Sequence, residues 1–285
     1  SVPGDDTQVM YVWLDALSNY ITVIGYPDRP DEWQQFWPAD VQVVGKDILR
    51  FHAGIWPAML MALDLPLPKV LLVHGFINVG GMKMSKSLGN GVGPMDIIPD
   101  YGVDAFRYYF LRHVPTQDDG DFTWEKFEAA YNSELGNDLG NLVQRVAKMV
   151  QNYQAGVIGD APQSEHDMGP YRSAMDSFNF NLAMDETWQI VRSLNQYIER
   201  VQPWQVAKKR SEDPEAEEHL NEILAHACGA LLQIADMLRP FMPATAQKIS
   251  DLFASGVVSG DIQPLFPRLY LHTPDPRGQK VAEAK

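Results

Sequence analysis

From residue 124 onward, apolar side chains return with the period of a helix. Phe127, Tyr131, Leu135, Leu139, Leu142, Val146 and Met149 fall on one face of a helix predicted over 124–153. A Gly/Pro-rich loop at 156–170 follows, then helices over about 171–201, 214–238 and 243–254, which together predict an antiparallel bundle. The first third of the chain has a different grain. Residues 9–13 read as a buried strand, 41–44 as a second and 69–73 as a third, each leading into a helix or a loop. Such units in series predict a parallel sheet with a site at its C-terminal edge. Asp15 is placed to cap a helix running to about Ile24, and a second helix covers about 48–63, kinked at Pro57. Residues 1–8 are irregular, 25–40 form a Pro- and Trp-rich connection, and 94–99 a short connector. An amphipathic, aromatic-rich helix is expected over 102–113 and an acidic turn over 115–122, while the polar tail from Thr273 is expected to fray. The predicted fold class is therefore α/β followed by all-α.

With 285 residues, the chain is long enough for two domains with real cores. Its single cysteine, Cys228, excludes an internal disulfide and a zinc site built on several thiolates, and is expected to pack as a small apolar side chain. No apolar run reaches the roughly 18 residues of a membrane span, and no basic segment opens the chain, so a cytoplasmic protein is the expectation. A net charge of −14 argues against nucleic-acid binding by long-range attraction. An RNA partner would have to be held by local basic patches and base stacking.

The densest chemistry lies in residues 81–90, Gly-Met-Lys-Met-Ser-Lys-Ser-Leu-Gly-Asn. Lys83 and Lys86 place two ammonium groups three residues apart in a Gly-flanked loop, after a hairpin with an apolar first arm (69–79) and a Gly80-Gly81 turn. Such a loop can wrap a polyphosphate with cations and backbone N–H groups together, although a short motif of this kind also fits a solvated turn. Gly45 and Asp47 lie just past a strand end, where doubly wound folds contact nucleotides. Ala16, Leu17 and Tyr20 share a helix face with Trp13, and Ile48, His52 and Trp56 recur every four residues. Core packing accounts for most of both sets. Asn141 and Arg145 stand one turn apart on the first long helix, and Trp204 follows the next helix.

The KMSKS loop, preceded by LLVHGF and followed by LGN, resembles the second signature loop of the class I aminoacyl-tRNA synthetases, and the flanking residues resemble the methionyl-tRNA synthetases. The resemblance covers about residues 9–270. It implies the second half of a Rossmann-type catalytic domain over 1–75, a signature loop and connecting fold over 76–123, a helical anticodon-binding domain over 124–272 and a tail over 273–285. It places Trp13, Ala16, Leu17, Tyr20, Ile48, His52 and Trp56 around the methionine side chain, where aromatic faces suit a polarizable sulfur. It assigns Gly45 and Asp47 to the ribose, His74 to the surroundings of the adenine, and Lys83, Met84, Ser85, Lys86 and Ser87 to ATP, with Lys83 and Lys86 catalytic. Asn141, Arg145 and Trp204 would read the anticodon. Lys208, Lys209 and Arg210 are assigned to nearby phosphates on charge alone.

The implied reaction joins methionine to tRNA(Met) through methionyl-adenylate, with Mg²⁺ entering on ATP. The first class I signature, a His-x-Gly-His element, does not occur in these residues, and neither does the insertion that often carries zinc. The chain is therefore expected to be the C-terminal half of the enzyme, without a zinc site, inactive alone and partnered by the missing N-terminal half. Another KMSKS-bearing synthetase and a non-catalytic tRNA-binding module are the competing expectations.

Overall fold

In the computed structural model, which describes residues 2–84, 91–159, 166–213 and 215–275, the chain divides into two units. One comprises Ser1–Phe76 with Gln117–Asp119, the other Ile77–Thr116 with Gly120–Lys285.

The first unit runs α1 (Trp13–Thr22), α2 (Pro30–Trp33), β1 (Val41–Gly45), a helical run ending in α3 (Trp56–Ala62), and β2 (Val70–His74). β1 and β2 are parallel, in register from Val41 opposite Val70 to Gly45 opposite His74. Leu17, Ile21, Trp37, Phe51, Trp56 and Leu60 form the core. The strand expected over 9–13 is absent: Val9 to Val12 are exposed, Val9 at 81%. An apolar run becomes a strand only with a ladder partner, and β1 and β2 pair with each other. α1 starts at Trp13 with Val12 at its N-cap, so Asp15 lies in the first turn, complementing the helix dipole instead of capping it. The helix expected over 48–63 is a composite: a 3₁₀ turn (Lys46–Ile48), a π segment (Phe51–Ile55) and then α3. Pro57 has no N–H to give the ladder, and the wide π turn just before it absorbs the break.

The second unit opens with a hairpin of β3 (Ile77–Val79) and β4 (Met82–Lys83). Gly80 and Gly81, at φ 60° and 76°, supply the left-handed turn that a two-residue hairpin needs. Its first arm is thus three residues, separated from β2, and not one apolar arm over 69–79. α4 (Pro94–Tyr101) replaces the expected connector. Pro94 sits at N1, where a missing N–H costs nothing, and the Asp96 carboxylate accepts from Gly93 N–H at 2.7 Å. α5 (Val103–Arg112) follows, and the acidic stretch ends in β5 (Gly120–Phe122), parallel to β3.

The helices then come in order: α6 (Trp124–Ala130), a π segment (Tyr131–Gly140), α7 (Asn141–Gln154), α8 (Gly169–Asp176), α9 (Phe180–Val201), α10 (Pro203–Lys209), α11 (Glu215–Leu238) and α12 (Pro243–Phe253). The helix expected over 171–201 is broken. Phe178 takes φ 57°, and the Asn179 side chain caps α9 by accepting from Leu182 N–H. α10 was not expected at all; Gln202 ends α9 in the left-handed region and Pro203 starts the new helix. A strap of irregular chain (258–273) runs back along α6 and α7, burying Val258, Ile262 and Phe266 in the bundle core. Cys228 is buried in α11, where loss of water raises its thiol to about 12. Of the tail expected to fray, residues 276–285 lie outside the described residues.

Candidate functional site

In the first unit the aromatic residues of α1 converge with the π segment. The Tyr20 hydroxyl lies 2.9 Å from His52 Nε2, and His52 Nδ1 lies 3.0 Å from the Ile48 carbonyl. A carbonyl only accepts, so Nδ1 carries the proton, Nε2 accepts, and Tyr20 donates in the neutral state. Trp13 stacks on Phe51 at 3.9 Å and meets His52 edge-on at 6.0 Å, while Tyr20 leans on Trp56 at 5.8 Å. His52 lies in the π segment and faces Trp13 and Tyr20 of α1. Of the predicted set, Trp13, Tyr20, Ile48 and His52 come together in a partly open patch, in which Tyr20 is exposed, Trp13 and Ile48 are half-buried and His52 is buried. Leu17 and Trp56 lie fully buried beneath it, and Ala16 is exposed. The Trp56 indole N–H has no hydrogen-bond partner among the described residues. Phe51, which spacing alone did not single out, is part of the same wall.

The C-terminal ends of β1 and β2 bring Gly45, Asp47 and His74 together. A Cβ on Gly45 would meet Asp47 Oδ1 at 2.7 Å, so the glycine leaves room for the carboxylate. His74 Nδ1 donates to the Gly75 carbonyl at 2.9 Å. At Gly75 a Cβ would fall 2.0 Å from the Asp118 carbonyl oxygen, so only glycine lets residues 117–119 cross there. Asp119 accepts from Lys46 Nζ at 2.5 Å and from Phe76 N–H at 2.8 Å, and Lys46 also lies over the Phe76 ring at 4.5 Å. Sequence reasoning passed over Lys46 and Asp119. The signal was a cation beside a Gly-x-Asp element and an Asp-Asp-Gly-Asp run read merely as a turn.

In the second unit Lys83 is the exposed last residue of β4 and Met84 is half-buried, while Ser85, Lys86 and Ser87 lie outside the described residues. β5 holds the base of the hairpin: Phe122 carbonyl accepts from Gly80 N–H at 3.1 Å, and Asp121 Oδ1 accepts from Gly81 N–H at 2.7 Å. Lys126 pairs with Asp121 at 2.9 Å. The hydrogen bond from Lys126, then that from Gly81, keeps the Asp121 carboxyl below its ordinary range.

On the bundle, Arg145 donates to the Glu199 carboxylate and, at 3.0 Å, to Asn195 Oδ1, so α7 is tied to the end of α9. Its Nε is buried without a partner among the described residues. Asn141 is exposed and lines a polar cleft of about 280 Å³ with Asn137, Gln144 and Arg268. Trp204, in the first turn of α10, is half-buried against the core and does not project freely. Lys208 and Lys209 are exposed. Arg210 is not available for phosphate: it donates to the Tyr153 carbonyl at 2.6 Å and faces Glu217. A partly buried charge network, also unforeseen, sits between α5 and the π segment. Glu134 accepts from the Tyr108 hydroxyl, pairs with His113 at 2.9 Å and lies 3.3 Å from Arg112. Burial raises its carboxyl, but the hydrogen bonds from His113 and Tyr108 outweigh that and hold it low.

Two family models match. "tRNA synthetases class I (M)" covers residues 1–147, and "Anticodon-binding domain of tRNA ligase" covers residues 170–266. The chain belongs to the class I tRNA synthetases of the M family. Members of that family are close in sequence: it is 47% identical to a methionine–tRNA ligase of Streptomyces coelicolor and 43% identical to that of Bacillus subtilis, across 88% and 87% of its own length. It spans 48% and 39% of those two proteins. In fold it is similar to Mycobacterium tuberculosis methionyl-tRNA synthetase in complex with methionyl-adenylate, with a TM-score of 0.82 and 34% identity over 94% of this chain and 58% of that one. The apo form of the same enzyme gives 0.80 at 32% identity. A Rossmann-like part followed by a helical domain is the architecture consistent with these neighbours. Among the described residues, no helix is long and apolar enough to cross a membrane, and no three His, Cys, Asp or Glu side chains are grouped to hold a metal ion.

Proposed function

We propose that this chain is the signature-loop and anticodon-binding part of a methionine–tRNA ligase. The observation that carries the reading is the Tyr20–His52 pair set in an aromatic wall, in a chain 47% identical to such a ligase. A thioether is soft and accepts hydrogen bonds weakly, so it suits the faces of Trp13 and Phe51 beside one hydroxyl donor. Ala16 and Ile48 border the pocket, and Leu17 and Trp56 form its floor.

In the first step the methionine carboxylate attacks the α-phosphorus of ATP, and the bond to the leaving pyrophosphate breaks. Gly45 and Asp47 hold the ribose hydroxyls, and the backbone at His74 borders the adenine. Lys83 and Lys86, with Met84, Ser85 and Ser87, wrap the phosphates; Lys86 supplies charge where it builds up in the transition state. Mg²⁺ arrives with ATP, held by phosphates and water. In the second step the 2′-OH of the terminal tRNA ribose attacks the acyl carbon and AMP leaves. Asn141, Arg145 and Trp204 recognise the anticodon, with the Arg145 guanidinium held by Glu199 and Asn195 and the uncovered part of the half-buried Trp204 supplying a stacking surface worth about 1–3 kcal/mol per base. The remaining length of the enzyme completes the ATP site.

The test is amino-acid-dependent pyrophosphate exchange by the complete enzyme. Methionine should drive it, and Lys86→Ala should slow it by about 10²–10³, as for loss of one preorganised charge. Trp204→Ala should leave exchange intact and weaken charging. Exchange driven by cysteine, leucine or valine would refute the pocket assignment. Binding of tRNA without any exchange would favour a non-catalytic module.

A further inference from the structure

α5 carries two side chains of opposite charge, one turn apart, that grip opposite ends of the turn joining α11 to α12. Asp104 Oδ2 accepts from Thr245 N–H at 2.5 Å in the first turn of α12. Arg107 donates from Nε to the Phe241 carbonyl and from Nη2 to the Pro240 carbonyl, both at 2.7 Å, just past the end of α11. A helix start presents unsatisfied N–H groups and partial positive charge, and a helix end the reverse, so each charge meets the matching pole. Asp104 is buried, which makes its single-minded geometry costly to lose. The other face of α5 packs Tyr109 and Phe110 on Phe122 of β5, with ring centres 5.5 and 5.8 Å apart. β5 in turn pairs with β3 and holds the Gly80-Gly81 turn through Phe122 and Asp121. α5 therefore splints the hairpin sheet to the helix bundle within one unit.

We infer that Asp104 and Arg107 are positioning residues for the tRNA step: they fix the bundle bearing Asn141, Arg145 and Trp204 at a set offset from the hairpin sheet. The inference rests on the function proposed above. Charging needs both ends of one tRNA held at once, so a fixed offset supplies orientation in advance. Adenylate formation uses no such span.

The variants to compare in the complete enzyme are Asp104→Ala, Arg107→Met and the conservative Asp104→Asn, which keeps an acceptor for Thr245 N–H. Aminoacylation kcat/KM for tRNA should fall tenfold or more in the first two and recover in Asp104→Asn, while methionine-dependent pyrophosphate exchange stays within twofold. A parallel fall in exchange would mean a merely structural role, and unchanged charging would mean no role; either overturns the inference. Should Asp104→Ala fail to fold, Arg107→Lys replaces it, since lysine cannot reach both carbonyls with one fork. Charging by Arg107→Lys equal to that of the unmodified enzyme would also overturn it. Absence of methionine-dependent exchange in the unmodified enzyme would instead sink the functional reading.

Discussion

The proton on His52 is set by a neighbour four residues away. The Ile48 carbonyl takes Nδ1–H, which leaves Nε2 as an acceptor for Tyr20. Tyr20→Phe therefore strands a buried acceptor, and should cost about 1–3 kcal/mol in a denaturant titration. In the proposed reaction it should also raise KM for methionine several-fold while leaving KM for ATP unchanged. Gly75 is constrained from the opposite direction, by backbone. Gly75→Ala would put a methyl group against the Asp118 carbonyl and should destabilise by about 1–3 kcal/mol, read as a lowered melting temperature. Four-residue spacing was enough to bring His52 and Trp56 to one side of their helix. It could not say that Trp56 would be wholly buried while Ala16 faced water, because exposure depends on what packs above a face.

Among the elements, the long amphipathic helices were the most legible. α7, α9, α11 and α12 each present an apolar stripe, and their C-terminal ends fall close to the expected ones, although α7 and α9 begin well inside the expected spans. The π segments were invisible, since apolar spacing persists while the hydrogen-bond offset changes. α4 was missed because two prolines read as breakers, although one of them starts the helix. The strap along α6 is an element of another kind, held by side chains and not by a ladder. Buried Glu128 accepts from Leu271 N–H and His272 N–H, both at 2.8 Å, and from the hydroxyls of Tyr101 and Thr273. Burial pushes its carboxyl up, but the hydrogen bonds from Thr273, Tyr101, His272 and Leu271 prevail and keep it below the ordinary range. A depressed carboxyl contributes stability above its unfolded pKa of about 4.3, and that contribution is lost as pH falls through the lower folded value. Glu128→Gln should therefore melt earlier than the unmodified chain at neutral pH, with the gap closing toward acid. Melting temperatures measured from pH 7 to pH 3 check this; a gap that widened toward acid would contradict it.

Across the whole molecule, a net charge of −14 has to coexist with the RNA partner proposed above. Lys208 and Lys209 are exposed beside the half-buried Trp204, which makes a small basic edge on an acidic body. Lys208→Ala with Lys209→Ala should weaken tRNA binding and lower the slope of log K against log salt by about 2, whereas Trp204→Ala should weaken binding at an unchanged slope. Filter binding over a range of potassium chloride separates the two. By itself the sequence determined a Rossmann-like part followed by a helical domain, the parallel pairing of two of the three expected strands, and the family, because periodicity and motifs are local properties. Tertiary structure alone decided that residues 9–12 stay unpaired, that Arg145 is tied to Glu199 and that Arg210 is spent on a backbone carbonyl. It also decided that α5 clamps the α11–α12 turn across more than 130 residues of intervening chain. Strand pairing, ion pairing and burial each need a second segment, and no local pattern names the segment that arrives.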